Sequence, residues 1–203
     1  MSQGVRGGDI GGHTPISSDF CVIALGSNLK FGGLTPEKVL EAALKALLIG
    51  GFVIRDCSRI FTTPAFPAGS GPDFANAVAV LETPLNAAQT LTQLHAVEAE
   101  FERKREARWM ARTLDLDLIA YGDLVLPDAQ THRYWLDMPL ETQKTATPQE
   151  LVLPHPRLAE RAFVLVPMMD VAPEWQHPVT QATVRQMHDA LPRAQRDMIV
   201  ELQ

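Results

Sequence analysis

The order of short apolar runs and amphipathic segments is the feature that most constrains the fold of this chain. Apolar residues recur at helical spacing from Pro36 to the Gly50-Gly51 pair and again over about residues 87–103, a pattern typical of helices packed on a core. Short apolar runs bounded by glycine, proline and polar residues predict strands at 20–25, 52–61, 74–81 and 114–121. The predicted order of elements is therefore β-α-β-β-α-β.

This order predicts an α+β fold, a ferredoxin-like α/β sandwich whose antiparallel sheet carries its helices on one face. An apolar run at 161–169 and an amphipathic pattern at 181–191 predict C-terminal helices beyond the βαββαβ core. The Pro- and Gly-rich segment 62–72 predicts a loop. Such a fold hosts many unrelated functions, so function has to be argued from individual residues.

The length of 203 residues predicts one domain. We expect residues 1–18, which are rich in Gly and Ser, to form a flexible N-terminal tail, and residues 19–203 to form a single domain. Residues 127–150 show little periodicity and hold three prolines, so they predict an inserted loop. Long loops are often functional, and both an active-site flap and a plain surface loop fit this pattern.

Composition excludes several classes of protein. There is no run of 18 apolar residues, which argues against a transmembrane helix, and the N-terminal residues lack the apolar core of a secretory signal. Two cysteines are too few for a disulfide scaffold, and a net charge of −6 disfavours nucleic acid as a partner. We predict a cytoplasmic protein without a membrane or nucleic-acid partner, and we expect a monomer.

A basic segment stands out in this acidic chain. Residues 103–112 hold five basic side chains and one acidic side chain, a combination that suits a small polyanion such as a nucleotide. The same composition is typical of a solvated helix end, where cations complement the helix dipole. Both interpretations remain open from the residues alone.

Asp115 and Asp117 lie in the strand pattern TLDLDLIA. Side chains at i and i+2 of a strand share one face, so both carboxylates project together while the alternate leucines face the core. Two such carboxylates suit a hard divalent cation such as Mg²⁺, although solvent-facing alternation on a half-exposed sheet gives the same pattern. Arg112, three residues before Asp115, would serve phosphates beside such a metal or pair with one of the aspartates.

Glu98 falls within the apolar stripe of the second predicted helix. A carboxylate at such a position is costly unless it is paired or bound, so a ligand contact and an ion pair with Arg103 or Arg105 are the two alternatives. Phe74 and Asn76 share one strand face. They could hold a flat heterocycle by stacking and hydrogen bonding, or the aromatic ring could belong to the core.

Three further residues have no role that the pattern alone decides. His155 stands between two prolines and could contact phosphate or lie on the surface. Trp109 and Trp135 could stack on a base or cover the core. The phosphate-binding patterns GxxxxGK[ST] and GxGxxG are missing from the sequence, so a nucleotide would have to be bound by another arrangement.

Five segments occur here in the order of one enzyme family: IALGSNL at 23–29, the Thr63-Pro64 turn, DFANAV at 73–78, RWMARTLDLDL at 108–118 and LPHPRLAERAFVLVPM at 153–168. On these motifs the chain resembles the 6-hydroxymethyl-7,8-dihydropterin pyrophosphokinase family over about residues 20–175. The resemblance implies a ferredoxin-like fold and transfer of the pyrophosphoryl group of MgATP to the hydroxymethyl oxygen of 6-hydroxymethyl-7,8-dihydropterin, with release of AMP, in folate biosynthesis. ATP and the dihydropterin are then the expected partners.

The resemblance also implies roles for individual residues. Asp115 and Asp117 would bind two Mg²⁺ ions. The expected catalytic residues are these two aspartates together with Arg103, Arg105 and Arg112. The ATP site would be lined by Glu98, Arg105, Trp109, Arg112, His155 and Arg161. The pterin ring would lie between Phe74 and Phe163, and its edge would meet Asn76 and the groups around Thr63, Ala65 and Phe66.

One alternative from another class is a non-catalytic ferredoxin-like module that binds a small ligand or has a regulatory role. Such a module does not need paired aspartates beside arginines. Dependence of nucleotide binding on Mg²⁺ and on Asp117 would separate the two alternatives.

Overall fold

The structure, a computed structural model, describes residues 20–65, 71–101, 113–139, 142, 146 and 148–202. The strands are β1 (Phe20–Ser27), β2 (Val53–Cys57), β3 (Phe61–Thr63), β4 (Phe74–Glu82), β5 (Asp115–Tyr121) and β6 (Val200–Glu201). The helices are α1 (Pro36–Ile49), α2 (Ala87–Glu100), α3 (Ala129–Asp137), α4 (Ala162–Val171), α5 (Val184–Ala190) and α6 (Arg193–Asp197), with a 3₁₀ turn at Leu158–Glu160. The predicted tail 1–18 lies outside these ranges, in which no helix is long and apolar enough to cross a membrane.

The strands form one antiparallel sheet in the order β5-β1-β4-β3-β6, and β2 pairs with β4 next to β3. The predicted βαββαβ order and the antiparallel sheet are confirmed. Most residues of β1 are buried, because this central strand has apolar side chains on both faces and both faces are covered.

The two helices of the βαββαβ core lie on one face of the sheet, as predicted, and the C-terminal helices cover the other face. α1 and α2 pack on the face that holds Cys21, Ile23 and Leu25 of β1. The C-terminal helices α4 and α5 pack on the opposite face, which holds Val22 and Ala24. The physical reason is that odd and even positions of β1 are both apolar, so a sheet with one bare face would expose a large apolar surface.

The predicted strand 52–61 is interrupted between β2 and β3, which corrects that prediction. The Ser58 hydroxyl accepts a hydrogen bond from the Val78 N–H at 2.9 Å, and the Ser58 N–H donates to the Val78 carbonyl at 2.9 Å. The Arg59 N–H donates instead to the Asp170 carboxylate at 3.2 Å. The chain therefore leaves the ladder at this point. β3 resumes pairing with β4 at Phe61, and its last two residues lie in the predicted loop 62–72.

Helix boundaries follow local capping signals. α1 begins at Pro36, in the first turn where proline is tolerated, and ends before Gly50, as predicted. α2 begins with a capping box formed by Asn86 and Gln89. It ends at Glu100 instead of the predicted residue 103, where the Phe101 N–H bonds the Glu98 carbonyl and tightens the last turn.

The predicted loop 127–150 contains helix α3, so the expectation of a structureless insertion is wrong for this part. Asp128 caps α3 by accepting hydrogen bonds from the N–H groups of Gln130 and Thr131, both at 2.9 Å. His132 is its buried residue. The helix has only nine residues and buries a histidine, and a search for apolar runs does not count a histidine as a core residue.

A buried histidine pair holds α3 against the C-terminal part of the chain. His132 is 0% exposed, and its Nε2 lies 2.9 Å from the Pro154 carbonyl oxygen, so Nε2 carries the proton. The His177 ring centroid lies 5.4 Å from that of His132, and its Nδ1 accepts from the N–H groups of Val179 and Thr180 at 3.1 and 3.3 Å. Burial lowers the pKa of both rings, that of His177 to about 4.

We expect the free energy of unfolding to fall as the pH drops from about 6.5 toward 4. The unfolded chain binds a proton at His177 below about 6.5, whereas the folded chain keeps this ring neutral until its lowered pKa of about 4. Protonation therefore favours the unfolded state within this window. At pH 5 the loss from this residue alone is about 2 kcal/mol, measurable by urea unfolding at pH 7 and pH 5.

His177→Asn keeps an acceptor for the two N–H groups and does not titrate, so it should flatten this pH dependence. Gln93→Asn, at an exposed position of α2 whose side chain does not titrate, is the control and should keep the pH dependence of the wild type. The same decrease in wild type and in His177→Asn would contradict the expectation.

Candidate active site

The carboxylates of Asp115 and Asp117 lie on one face of β5, as predicted. The alternate leucines of this segment join the core beneath α1 and α2, and both aspartates are half-buried on the opposite face. Arg161, which precedes α4, places Nη1 2.6 Å from Oδ2 of Asp117. This ion pair brings a cation from the C-terminal part of the chain to the aspartate pair.

In the described sheet, β5 is the outermost strand on its side, and side-chain and loop groups satisfy its outer backbone. The Leu116 N–H donates to Oε1 of Glu98 at 2.8 Å, and the Ile119 carbonyl accepts from the His155 N–H at 2.8 Å. Glu98 is 1% exposed, which confirms its predicted place in the apolar stripe, and the Leu116 N–H gives one oxygen of the buried carboxylate a hydrogen-bond donor. Glu98 and His155 are thus both fixed against one strand edge.

Asn76, Gly26 and Asp115 form a row across β4, β1 and β5. Because Gly26 has no side chain, the sheet surface at the centre of the row is open. We refer to this open surface over Gly26 as the floor. A Cβ placed on Gly26 would lie 3.4 Å from Oδ1 of Asn76 and 3.9 Å from Cβ of Asp115. Sequence reasoning did not single out Gly26 as part of this row. The available signal was a glycine within a strand, which often marks close approach of a ligand.

Thr63 sets the orientation of the Asn76 amide. Asn76 is 5% exposed, and its Nδ2 donates to Oγ1 of Thr63 at 2.8 Å, so its Oδ1 is turned toward Gly26. Phe74 lies two residues earlier on β4, is half-buried and pairs with Thr63 in the β3–β4 ladder. Ala65 follows in a buried position. The structure therefore brings the predicted residues of β3 and β4 together.

Arg161 and Phe163 lie together at the start of α4. The guanidinium carbon of Arg161 is 5.6 Å from the ring centroid of Phe163, and Phe163 is 36% exposed. α4 packs on β4, the strand of Phe74 and Asn76. An exposed aromatic ring beside a cation is suited to stack on a flat ligand.

His155 is a neutral donor in this environment. Burial, together with the nearby Arg161 guanidinium, holds the pKa of His155 well below its ordinary value, so the ring is uncharged at neutral pH. Its Nδ1 accepts a hydrogen bond from the Arg157 N–H at 3.1 Å, which leaves the proton on Nε2. The ring can therefore donate one hydrogen bond to an anionic oxygen.

Several predicted site residues lie outside the described residues: Phe66, Arg103, Arg105, Trp109 and Arg112. The suggested ion pair between Glu98 and one of these arginines falls there too. Within the part of the chain that the structure describes, no group of three or more His, Cys, Asp or Glu side chains is placed to hold a metal ion. The aspartate pair offers two carboxylates, a donor set that fits Mg²⁺ because this ion keeps waters and substrate phosphates as its other ligands.

Comparison with known proteins identifies the family of this chain. The sequence model of the 7,8-dihydro-6-hydroxymethylpterin-pyrophosphokinase family matches residues 22–173. The 2-amino-4-hydroxy-6-hydroxymethyldihydropteridine pyrophosphokinase of Synechocystis is 32% identical over 166 residues, which cover 82% of this chain and 73% of that protein. The protein of the same name from Haemophilus influenzae is 34% identical over 161 residues, with coverage of 78% and 85%.

Solved structures agree in fold. Wild-type Plasmodium falciparum HPPK-DHPS superposes on 84% of this chain with a TM-score of 0.58 at 14% sequence identity. This chain spans 44% of that longer chain, so the likeness concerns the shared fold alone. The family match goes further, because residues 22–173 include most of β1 and all of β3, β4, β5 and α4. On these grounds the chain belongs to the 7,8-dihydro-6-hydroxymethylpterin-pyrophosphokinase family.

Proposed function

We propose that this chain transfers the pyrophosphoryl group of ATP to the hydroxymethyl oxygen of 6-hydroxymethyl-7,8-dihydropterin, giving the pterin diphosphate and AMP in folate biosynthesis. The observation that carries the proposal is the row of Asn76, Gly26 and Asp115, which has an amide and a carboxylate at opposite ends of one open floor. A flat heterocycle with a short hydroxyl arm suits such a floor. The names of the curated relatives support the same reaction.

The pterin would lie with one edge at Asn76. Because Nδ2 of Asn76 already donates to Thr63, Oδ1 is the group that accepts a hydrogen bond from a ring N–H or amino group. Phe74 and Phe163 would stack on the two faces of the ring, and the main chain at 65–66 would complete the contacts along its edge. Edge-specific hydrogen bonding rejects analogues that lack the matching groups.

Asp115 and Asp117 would hold two Mg²⁺ ions, which neutralise phosphate charge and hold the two reacting groups together when bound. Arg161 lies beside Asp117 at 2.6 Å, so a phosphate that contacts this guanidinium would also be close to the carboxylates. His155 would donate from Nε2 to a phosphate oxygen. The remaining proposed ATP contacts come from Glu98, Arg103, Arg105, Trp109 and Arg112.

The proposed reaction needs positioning and charge stabilisation more than a covalent protein group. A bond forms between the hydroxymethyl oxygen and the β-phosphorus, and the bond from that phosphorus to the oxygen bridging to the α-phosphate breaks. AMP leaves with the electron pair of the broken bond, and the hydroxyl proton passes to solvent. The ring contacts and the cationic side chains hold the two substrates in line for this exchange.

The location, oligomeric state and domain organisation of the enzyme also form part of the proposal. We place the enzyme in the cytoplasm as a monomer that does not bind nucleic acid, and we take residues 19–203 as one catalytic domain. The support is compositional: a net charge of −6 and two cysteines in 203 residues.

Incubation of the protein with Mg²⁺, ATP and the dihydropterin should give AMP and pterin diphosphate in equal amounts, resolved by anion-exchange chromatography. Asp117→Asn should lower kcat by about 10²-fold or more, because it removes charge from the proposed metal site. Asp123→Asn, in the exposed turn after β5, is the matched control and should keep full activity.

Either of two results would contradict the proposed function. ADP in place of AMP would indicate transfer of a single phosphoryl group. Intact substrates in the presence of folded protein would favour the non-catalytic ligand-binding module.

Gly26→Ala should impair pterin binding while the protein stays folded. The added Cβ has room, since its nearest neighbours would lie at 3.4 and 3.9 Å, and Gly26 is not among the residues with positive φ. The methyl group would nevertheless stand on the floor where the hydroxymethyl arm is expected. We expect KM for the pterin to rise about tenfold or more, with KM for ATP nearly unchanged; steady-state kinetics and the thermal midpoint test this. A fully active variant would show that the substrate does not cross Gly26.

A further inference from the structure

Arg59 joins three elements of the fold through one guanidinium group. Its Nε and Nη2 donate to the two carboxylate oxygens of Asp170 on α4 at 2.9 and 2.7 Å, and its Nη1 donates to Glu201 on β6. The guanidinium carbon lies 5.3 Å from the ring centroid of Phe61 on β3. We refer to Arg59, Asp170 and Glu201 as the Arg59 cluster.

The Arg59 cluster connects the two sides of the proposed pterin site. α4 carries Phe163 in its first turn and Asp170 about two turns later. β3 begins two residues after Arg59 and carries Thr63, which orients Asn76. One side of the site therefore belongs to the helix, the other belongs to the strands, and the cluster ties them at one point.

The backbone takes part in the same connection. The Arg59 N–H donates to Oδ2 of Asp170 at 3.2 Å, at the interruption between β2 and β3 where the main chain has left the ladder. The cluster thus holds the main chain that leads into β3, and not only a side chain. Its third member, Glu201, lies beyond residue 173, where the family match ends.

We propose that Arg59 is a positioning residue for the pterin substrate. By holding α4 against β3, it sets the separation between Phe163 on one side and the Thr63–Asn76 pair on the other. This inference rests on the proposed function, because it takes the space between these residues as the pterin site.

Exposed ion pairs usually contribute little to stability, and the Arg59 side chain is 56% exposed. Three features distinguish the Arg59–Asp170 pair from an ordinary exposed ion pair. The guanidinium binds the carboxylate through two parallel hydrogen bonds, Asp170 is only 21% exposed, and Glu201 adds a second acid to form a network. The expected effect is therefore on the geometry of the site more than on overall stability, and small displacements of binding groups are costly for activity.

The test compares Arg59→Ala, Arg59→Lys and Asp170→Asn with a matched control, Arg55→Ala. Arg55 is a similarly exposed arginine, 51%, whose partner Glu82 lies on β4 and not on α4. Steady-state kinetics give KM for each substrate and kcat. Fluorescence titration gives the Kd of the pterin, and thermal unfolding reports the folded state.

We expect Arg59→Ala to raise KM and Kd for the pterin about five- to tenfold, with kcat and KM for ATP within about twofold of wild type. Arg59→Lys should lie between wild type and Arg59→Ala, because an ammonium group cannot form the two parallel hydrogen bonds. Arg55→Ala should match wild type. The double variant Arg59→Ala/Asp170→Asn should be no worse than the worse single variant, since both changes remove one interaction.

An unchanged pterin KM in Arg59→Ala, or equal changes for both substrates, would overturn the inference. Should Arg59→Ala fail to fold, Arg59→Lys and Asp170→Asn carry the same comparison. If the wild type is active and the Arg59 variants keep the wild-type KM and Kd for the pterin, this inference is refuted and the proposed function stands. A folded wild type that neither turns over nor binds the pterin refutes the proposed function, and this inference with it.

Discussion

The backbone of β5 imposes the constraint on which the candidate site depends. A strand at the border of a sheet has N–H and carbonyl groups that need partners, and in the described sheet β1 serves only one side of β5. The other side is served by the Glu98 carboxylate at Leu116 and by the His155 N–H at Ile119. The need to satisfy main-chain groups thereby places a carboxylate and an imidazole beside the aspartate pair.

The same sheet face packs against helices at one end and carries the polar row of Asn76, Gly26 and Asp115 at the other. Along β1, Val22 and Ala24 are buried under the C-terminal helices, whereas Gly26, two residues further on the same face, lies between Asn76 and Asp115. α4 covers the apolar end of this face, and its first turn reaches the polar end. Packing of that helix therefore also determines where Arg161 and Phe163 lie.

The parts of the site that follow from local periodicity were predictable from the sequence. Alternation of Leu and Asp predicts the shared face of Asp115 and Asp117, and helical spacing predicts the burial of Glu98. The partner of Glu98 was not predictable, because it is a main-chain N–H 18 residues away.

Several features that sequence reasoning missed depend on hydrogen bonds between distant residues and not on apolar patterning. The break after β2 depends on Ser58 bonding Val78 and on the Arg59 N–H bonding Asp170. α3 is held by a buried histidine, and β6 is a two-residue strand that pairs with β3. Apolar patterning within a short segment cannot predict hydrogen bonds to residues that are distant in the sequence.

The central position of β1 also has a consequence for how the chain acquires its fold. β1 precedes every other strand in the sequence, yet its ladder partners are β4 and β5, which begin at residues 74 and 115. During synthesis from the N-terminus, this strand, apolar on both faces, lacks its β4 partner until the chain has grown past residue 82 and its β5 partner until the chain has grown past residue 121. Pairings between such distant segments form slowly, since loop closure must precede their contacts. A nascent chain that stalls before β5 therefore presents an aggregation-prone strand, and such chains are natural clients for chaperones that bind apolar segments.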